Sequence, residues 1–363
     1  MIYIAGASIA LFISALLFNK KQKSNSDIIL LLWMLLLAAH LSLFYANYFT
    51  EIPPFLIGIH LPIPLLQAVF LYFYVASVTN HFPKKKTIVF AHLLPTLLSY
   101  FFLVPFFLLP PEEKTIILQN KGKGYSELFG FINLIFIFAS GVVYVFWSSY
   151  LIWKHKKNIR NQFSDIEDIN LKWLQLLIYG IGGIWVIVIF FNNGTYIFTG
   201  VSIFVILIGF FGVQQRDIFS NEKKSIKEKT TTTSAIKKEK YATSGLSTEI
   251  AEDLYKNLIE ELNTKSYYTE SSLSLNDLAQ KLDISPNYLS QIINEKEGKN
   301  FFDFINAFRV AEFKRLVAIP TNQQYTLLAL AYDCGFNSKS SFNRSFKKHA
   351  GLTPSQYAAT VQK

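Results

Sequence analysis

Polar side chains able to read or grip a nucleic acid recur at helical spacing near the end of this 363-residue chain. One set is Asn287, Tyr288, Ser290, Gln291 and Asn294; the other is Lys339, Ser340, Ser341, Asn343, Arg344 and Lys347. Amides and guanidinium groups can bridge base edges, whereas Lys, Ser and Tyr mostly hold phosphates. Other chemistries find no residues here. No phosphate-cradling Gly loop, HExxH, CxxC or GxSxG occurs, and His40, His60, His81, His92, His155 and His349 lie without neighbours at metal-ligand spacing. The sequence therefore predicts no catalytic residue, no metal and no cofactor, and a protein that is not an enzyme.

The positions between these polar residues say what must hold them. Leu275, Leu278, Ala279 and Leu282 sit at i, i+3, i+4 and i+7, the apolar stripe of a short helix. Leu327, Leu330, Ala331 and Cys334 repeat that stripe 52 positions later. A tight turn follows each stripe, Asp283-Ile284-Ser285 and then Gly335-Phe336-Asn337. Asp and Gly both tolerate left-handed backbone. Pro286 suits the first position of a helix capped by Ser285, and Asn337 or Ser338 can cap its counterpart. Leu289 with Ile293, and Phe342 with Phe346, are the inward anchors at i and i+4. Helix, short turn, helix, written twice, is the helix-turn-helix layout, whose second helix lies in a major groove. Two amphipathic hairpins with solvated polar faces would show the same apolar spacing but would not need the turn residues or the base-reading side chains.

The run Gly335-Phe336-Asn337-Ser338-Lys339-Ser340-Ser341-Phe342-Asn343-Arg344-Ser345-Phe346-Lys347-Lys348, followed by Gly351 to Tyr357, resembles the signature of AraC/XylS-type transcription regulators. Asn287 to Asn294 resembles the first recognition helix in one branch of that family. The resemblance covers about the last quarter of the chain. It implies two helix-turn-helix units, about 274–295 and about 326–349, joined by a long helix at about 301–318, each unit addressing one of two successive major grooves. Asn300 would cap that helix, with Phe304, Ile305, Phe308, Ala311 and Leu316 facing in and Arg309, Lys314 and Arg315 along it. Asp283 stands where the family often has Gly, which implies a strained turn, and Ala358 where Arg is common, which removes a backbone contact.

Composition sets the rest of the chain apart. It is 51% hydrophobic and only 17% charged, against about 25% charged in globular domains. The single cysteine, Cys334, excludes an internal disulfide framework and reads as a small buried hydrophobe. The net charge of +10 is uneven: residues 309–363 carry eight basic and two acidic residues, so the second unit should supply most of the attraction for phosphates.

Seven apolar runs fill the first part, at about Ile2–Phe18, Ile28–Phe49, Phe55–Val78, Ile88–Leu109, Leu128–Trp153, Leu171–Phe191 and Tyr196–Val213. Most approach the ~20 residues that span a bilayer. Lys20, Lys21 and Lys23 follow the first run, Lys84 to Lys86 the third, and Lys154, Lys156, Lys157 and Arg160 the fifth. The intervening loops carry only Lys114, Lys121 and Lys123. Basic loops stay cytoplasmic, which places the N-terminus outside and the C-terminus in the cytoplasm. Polar residues inside the runs (His40, Asn47, His60, Gln67, His92 and Asn133) suit either interhelical hydrogen bonds or a functional site. Pro62, Pro64, Pro95 and Pro105 should kink helices, and Gly180, Gly182, Gly183, Gly209 and Gly212 suit close helix packing.

The expected organisation is all-α: a seven-helix transmembrane bundle over 1–215, a disordered basic linker over 216–246, and a DNA-binding domain over 247–363. A helix from Ser247 to about Leu262 should pack on the first helix-turn-helix. The expected function is a transcription regulator tethered to the bacterial cytoplasmic membrane, coupling a signal to promoter binding. Its partners are double-stranded DNA and the lipid bilayer; a homodimer and an unidentified small-molecule or membrane signal stay open. Proteolytic release of the domain is one alternative. A transporter or enzyme bundle carrying a regulatory DNA-binding appendage is another. Alkaline phosphatase is active only where disulfides form, outside the cytoplasm. A phosphatase fused within 110–127 is therefore expected to be active and one fused to the C-terminus inactive; the reverse pattern would contradict the orientation.

Overall fold

The computed structural model describes residues 1–50, 52–119, 127–166, 172–191, 193–214 and 248–361. The expected linker at 216–246 lies outside them. The described chain is all-α and forms two compact units, one of residues 1–153 and 171–232, the other of residues 154–170 and 233–363.

Among the described residues six helices are long and apolar enough to cross a membrane: Ile2–Asn19, Asn25–Phe49, Lys86–Phe107, Phe131–Gln162, Trp173–Phe191 and Gly194–Phe211. The third expected run behaves differently. Pro62 and Pro64 fall inside it, Pro53 and Pro54 stand just before it, and Gly58 takes a positive φ of 82°. Only Ile63–Val78 forms a regular helix, preceded by a short 3-10 turn at Pro54–Leu56. Ten of its side chains are buried, so protein surrounds it. The loop expected at 110–127 contains a helix, Pro111–Gln119, with Glu112 and Glu113 in its first turn, where acidic groups offset the helix dipole.

Several polar groups of the apolar helices pair between helices. Trp33 Nε1 donates to Gln67 at 2.8 Å, Ser99 Oγ to Asn133 at 2.7 Å, and Trp173 Nε1 to the Tyr74 hydroxyl at 3.0 Å. Lys20 and Asp27 pair at 3.0 Å across the first turn between helices, where Ser24 and Asp27 form a capping box. Gly180 and Gly209 do allow close packing: a Cβ there would stand 2.3 Å from Phe204 and 2.7 Å from Ile9. Gly183 faces open space instead, so its expected packing role does not hold.

The second unit is built from seven helices among the described residues after 247: Thr248–Lys265, Leu275–Lys281, Pro286–Glu297, Phe301–Val317, Leu327–Asp333, Lys339–Ala350 and Pro354–Val361. Residues from Lys154 to Ile166 also belong to it. The long central helix, Phe301–Val317, starts where Asn300 accepts the amide of Asp303 at 2.9 Å. It serves two cores. Phe301, Phe304 and Ile305 join Leu258, Leu262, Leu278, Ala279, Leu289 and Ile293. Val310, Phe313 and Val317 join Leu330, Ala331, Phe336, Phe342 and Phe346. Ala311 is exposed and Leu316 half-buried. The expected inward stripe therefore drifts, because the helix turns its second core-facing row through Val310, Phe313 and Val317. Leu258 and Leu262 of the first helix enter the first core as expected, while Ile250 stays exposed.

The tight turns are the sharpest test of this packing. Asp283 has φ 51° and Gly335 φ 93°. A Cβ on residue 335 would stand 2.6 Å from the Tyr268 carbonyl oxygen and 2.7 Å from that of Thr269. Left-handed strain and backbone collision act together there, and each costs about 1–3 kcal/mol. Gly335→Ala is expected to lower the stability of this unit by at least that much in pulse proteolysis of the full chain in urea. Asp283→Gly should cost nothing, since it relieves the strain. Equal midpoints for Gly335→Ala and wild type would show that the turn is not as tight as described.

Candidate nucleic-acid interface

Each of the two supporting helices is capped by its own N-terminal hydroxyl. Ser274 and Asp277 exchange hydrogen bonds in a capping box, and Thr326 accepts the amide of Ala329 at 3.1 Å. The turns after them repeat bond for bond. Ile284 donates its amide to the Ala279 carbonyl at 3.0 Å, and Phe336 donates to Ala331 at 3.1 Å. Asp283 donates to Gln280 at 3.2 Å, and Gly335 to Tyr332 at 2.9 Å. This is the pairing that a left-handed residue permits after a helix. It directs the chain into the second helix at the same local geometry in both copies.

The first of these second helices, Pro286–Glu297, is capped by Ser285, which accepts the Tyr288 amide at 3.2 Å. Leu289, Ile292 and Ile293 turn inward. Asn287, Gln291 and Asn294 are exposed, and Tyr288 and Ser290 are half-buried. Gln291 donates to Glu295 at 2.8 Å, and Asn294 donates to the Ser290 carbonyl at 2.7 Å. Both amides must leave these partners to reach a base. The helix is braced from behind: Lys296 pairs with Glu252 at 2.5 Å, and Tyr255 donates to Glu297.

The other, Lys339–Ala350, is capped by Ser338 rather than Asn337; Ser338 accepts the Ser341 amide at 3.1 Å. Lys339, Ser340, Asn343, Arg344 and Lys347 are exposed on one side. Ser341 corrects the sequence reading. It is 3% exposed and lies on the buried row with Phe342, Ser345 and Phe346, so its hydroxyl does not face outward. The register explains the error: position 341 follows the N-cap by three residues, where the helix turns toward the core before Phe342. Lys348 is also diverted, to an ion pair with Asp303 at 2.7 Å. His349 follows the basic pair Lys347-Lys348, a position that favours exposure. It is half-buried, with Nε2 enclosed, and burial together with Lys348 holds its pKa below the ordinary value.

One further residue matters that spacing did not reveal, whereas Cys334 is buried as its place in the stripe predicts. Arg309 lies midway along the central helix and is 1% exposed. It donates from Nε to the Tyr268 carbonyl at 2.7 Å and from Nη2 to the Glu270 carbonyl at 2.9 Å. Burial lowers its pKa to about 10, opposed by nearby Asp165, so it stays charged at neutral pH. Cys334 is fully buried, and burial pushes its thiol up to about 12, which suits a space-filling role. Among the described residues no group of three His, Cys, Asp or Glu could hold a metal.

A family model described as a helix-turn-helix domain matches residues 278–360. Residues 278–360 form a helix-turn-helix domain of the AraC type. Relatives named as regulators share it. An uncharacterised HTH-type transcriptional regulator, YtdP, of Bacillus subtilis is 30% identical over 108 residues, covering 30% of this chain and 14% of its own. The transcriptional regulatory protein HptR of Staphylococcus aureus is 28% identical over 106 residues, 29% of this chain and 40% of its own. The Msm operon regulatory protein of Streptococcus mutans is 28% identical over 116 residues, 29% of this chain and 41% of its own. The chain thus spans less than half the length of each of these relatives.

Within the helix-turn-helix domain Arg344 and Lys347 are exposed cations of the helix Lys339–Ala350. Arg344→Ala is expected to weaken binding to a preferred duplex by roughly 1–3 kcal/mol at fixed salt and to relax preference at one base pair. Lys347→Ala should weaken all duplexes alike and flatten the salt dependence by about one charge. Unchanged affinity of Arg344→Ala in a mobility-shift titration would remove that residue from the interface.

Proposed function

We propose that the chain is a sequence-specific DNA-binding transcription regulator held in the cytoplasmic membrane, with its N-terminus outside and its helix-turn-helix domain on the cytoplasmic side. One observation carries the reading. Two copies of the same turn present Asn287 and Gln291 on one recognition helix, and Lys339, Asn343 and Arg344 on the other. Side chains of these types bridge base edges and phosphates, and nothing else exposed on those helices has another chemistry to perform.

Membrane tethering is supported by the six long apolar helices. A seventh crossing would use Ile63–Val78, about 24 Å of helix, with the turns before it making up the length. Within 54–62, Ile57, Gly58, His60 and Pro62 are buried, whereas Pro54 and Phe55 are exposed. Seven crossings and the basic loops after the first, third and fifth runs agree on the side reached by the C-terminus. No connection outside the membrane is long enough for a separate sensor domain on this topology, so the signal is read within the bundle, at its outer mouth or through partner proteins.

The test is selection of duplexes from a random library by the full-length protein in lipid nanodiscs, followed by footprinting. The reading expects an enriched sequence with two blocks of protected bases about one helical turn apart, ~10 base pairs. Enrichment of no sequence over the starting library would overturn it.

A further inference from the structure

Residues 160–166 join two long apolar helices in sequence, yet they pack within the same compact unit as the helix-turn-helix domain. The contact is specific. Phe163 makes an antiparallel bridge with Ser274, strand-like pairing in an otherwise helical unit. Ser164 donates its amide to the Leu273 carbonyl at 3.1 Å and its hydroxyl to the same oxygen at 2.6 Å. The carbonyl of Ser164 accepts from Asn306 Nδ2 and from Arg309 Nη1, each at 3.2 Å. Arg309 Nη2 donates to the Ser164 hydroxyl at 3.0 Å. Ser164, Asn306 and Arg309 are all at most 1% exposed. The Arg160 guanidinium lies over the Phe302 ring at 5.5 Å. The next residue out, Asp165, accepts from Asn337 Nδ2 at 2.5 Å.

Asn337 immediately precedes Ser338, the N-cap of the second recognition helix. Backbone amides and the helix dipole make such a terminus attractive to a phosphate. A carboxylate held there repels the DNA backbone and keeps Asn337 from donating to it. We propose that this segment is a docked restraint: it seats in a groove lined by Leu273, Asn306 and Arg309, and Asp165 competes with DNA for the start of the second recognition helix. The proposal rests on the DNA-binding reading above and adds to it a means of control. The segment continues Glu127–Gln162 and leads by a short stretch of chain to Lys172–Phe191. A shift in either helix therefore pulls on the seat of Ser164 through covalent connection alone. Release of the segment would free the recognition helix without cutting the chain.

The test locks the contact. The pair Asp165→Cys with Asn337→Cys is introduced into the full-length protein in nanodiscs and bridged with a short bis-methanethiosulfonate reagent. Cβ atoms on either side of a side-chain hydrogen bond stand too far apart for a direct disulfide. The buried Cys334 stays unreacted, and single-cysteine variants control for modification. The probe is the duplex enriched from the random library. Bridged protein is expected to bind it roughly tenfold more weakly or worse, as for a coupled site, with recovery on reduction; Asp165→Ala should bind more tightly than wild type. Equal binding by bridged and reduced protein overturns the restraint while leaving the DNA-binding reading intact. A pair that cannot be bridged also overturns it, because the contact is then not formed. Failure of every form, wild type included, to bind any duplex overturns both.

Discussion

The helix-turn-helix unit depends on one buried cation. Arg309 sits where the central helix passes from the first core to the second. Burying an unpaired guanidinium would cost several kcal/mol. Here its nitrogens meet the carbonyls of Tyr268, Glu270 and Ser164 and the Ser164 hydroxyl, at distances between 2.7 and 3.2 Å. Those acceptors come from the loop before the first supporting helix and from the 160–166 segment. The same loop crowds Gly335, whose missing Cβ leaves room for the Tyr268 and Thr269 carbonyls. So one charge joins the loop before the first supporting helix, the linking helix and the 160–166 segment in a single network.

Much of this was legible in the residues. The 52-residue repeat predicted matching turns, and Asp283 and Gly335 both adopt left-handed backbone with equivalent hydrogen bonds. Ser285 and Asn300 cap as their types require. What could not be read is where polar residues sacrifice exposure. Ser341 looked outward by composition but sits on the buried row beside Phe342. Arg309 looked like one more cation on a surface helix; only the three-dimensional approach of carbonyls from residues some forty and some one hundred and forty-five positions away explains its burial. Short-range periodicity carries no information about such partners.

The apolar half shows the same division. Length and hydropathy located the long helices, whereas the third run was shortened by prolines and a left-handed glycine that hydropathy averages away. His40 and His60 are buried with a ring nitrogen each lacking a partner among the described residues. Desolvated polar atoms without a partner are costly.

The central claim is that DNA is read by a chain that remains in the membrane. It is tested most directly by crosslinking living cells, isolating membranes, and sequencing DNA that co-purifies with the full-length, C-terminally tagged protein. The account predicts a discrete set of genomic sites attached to the intact chain. Uniform recovery of the genome, or discrete sites found only with a soluble C-terminal fragment, would contradict it.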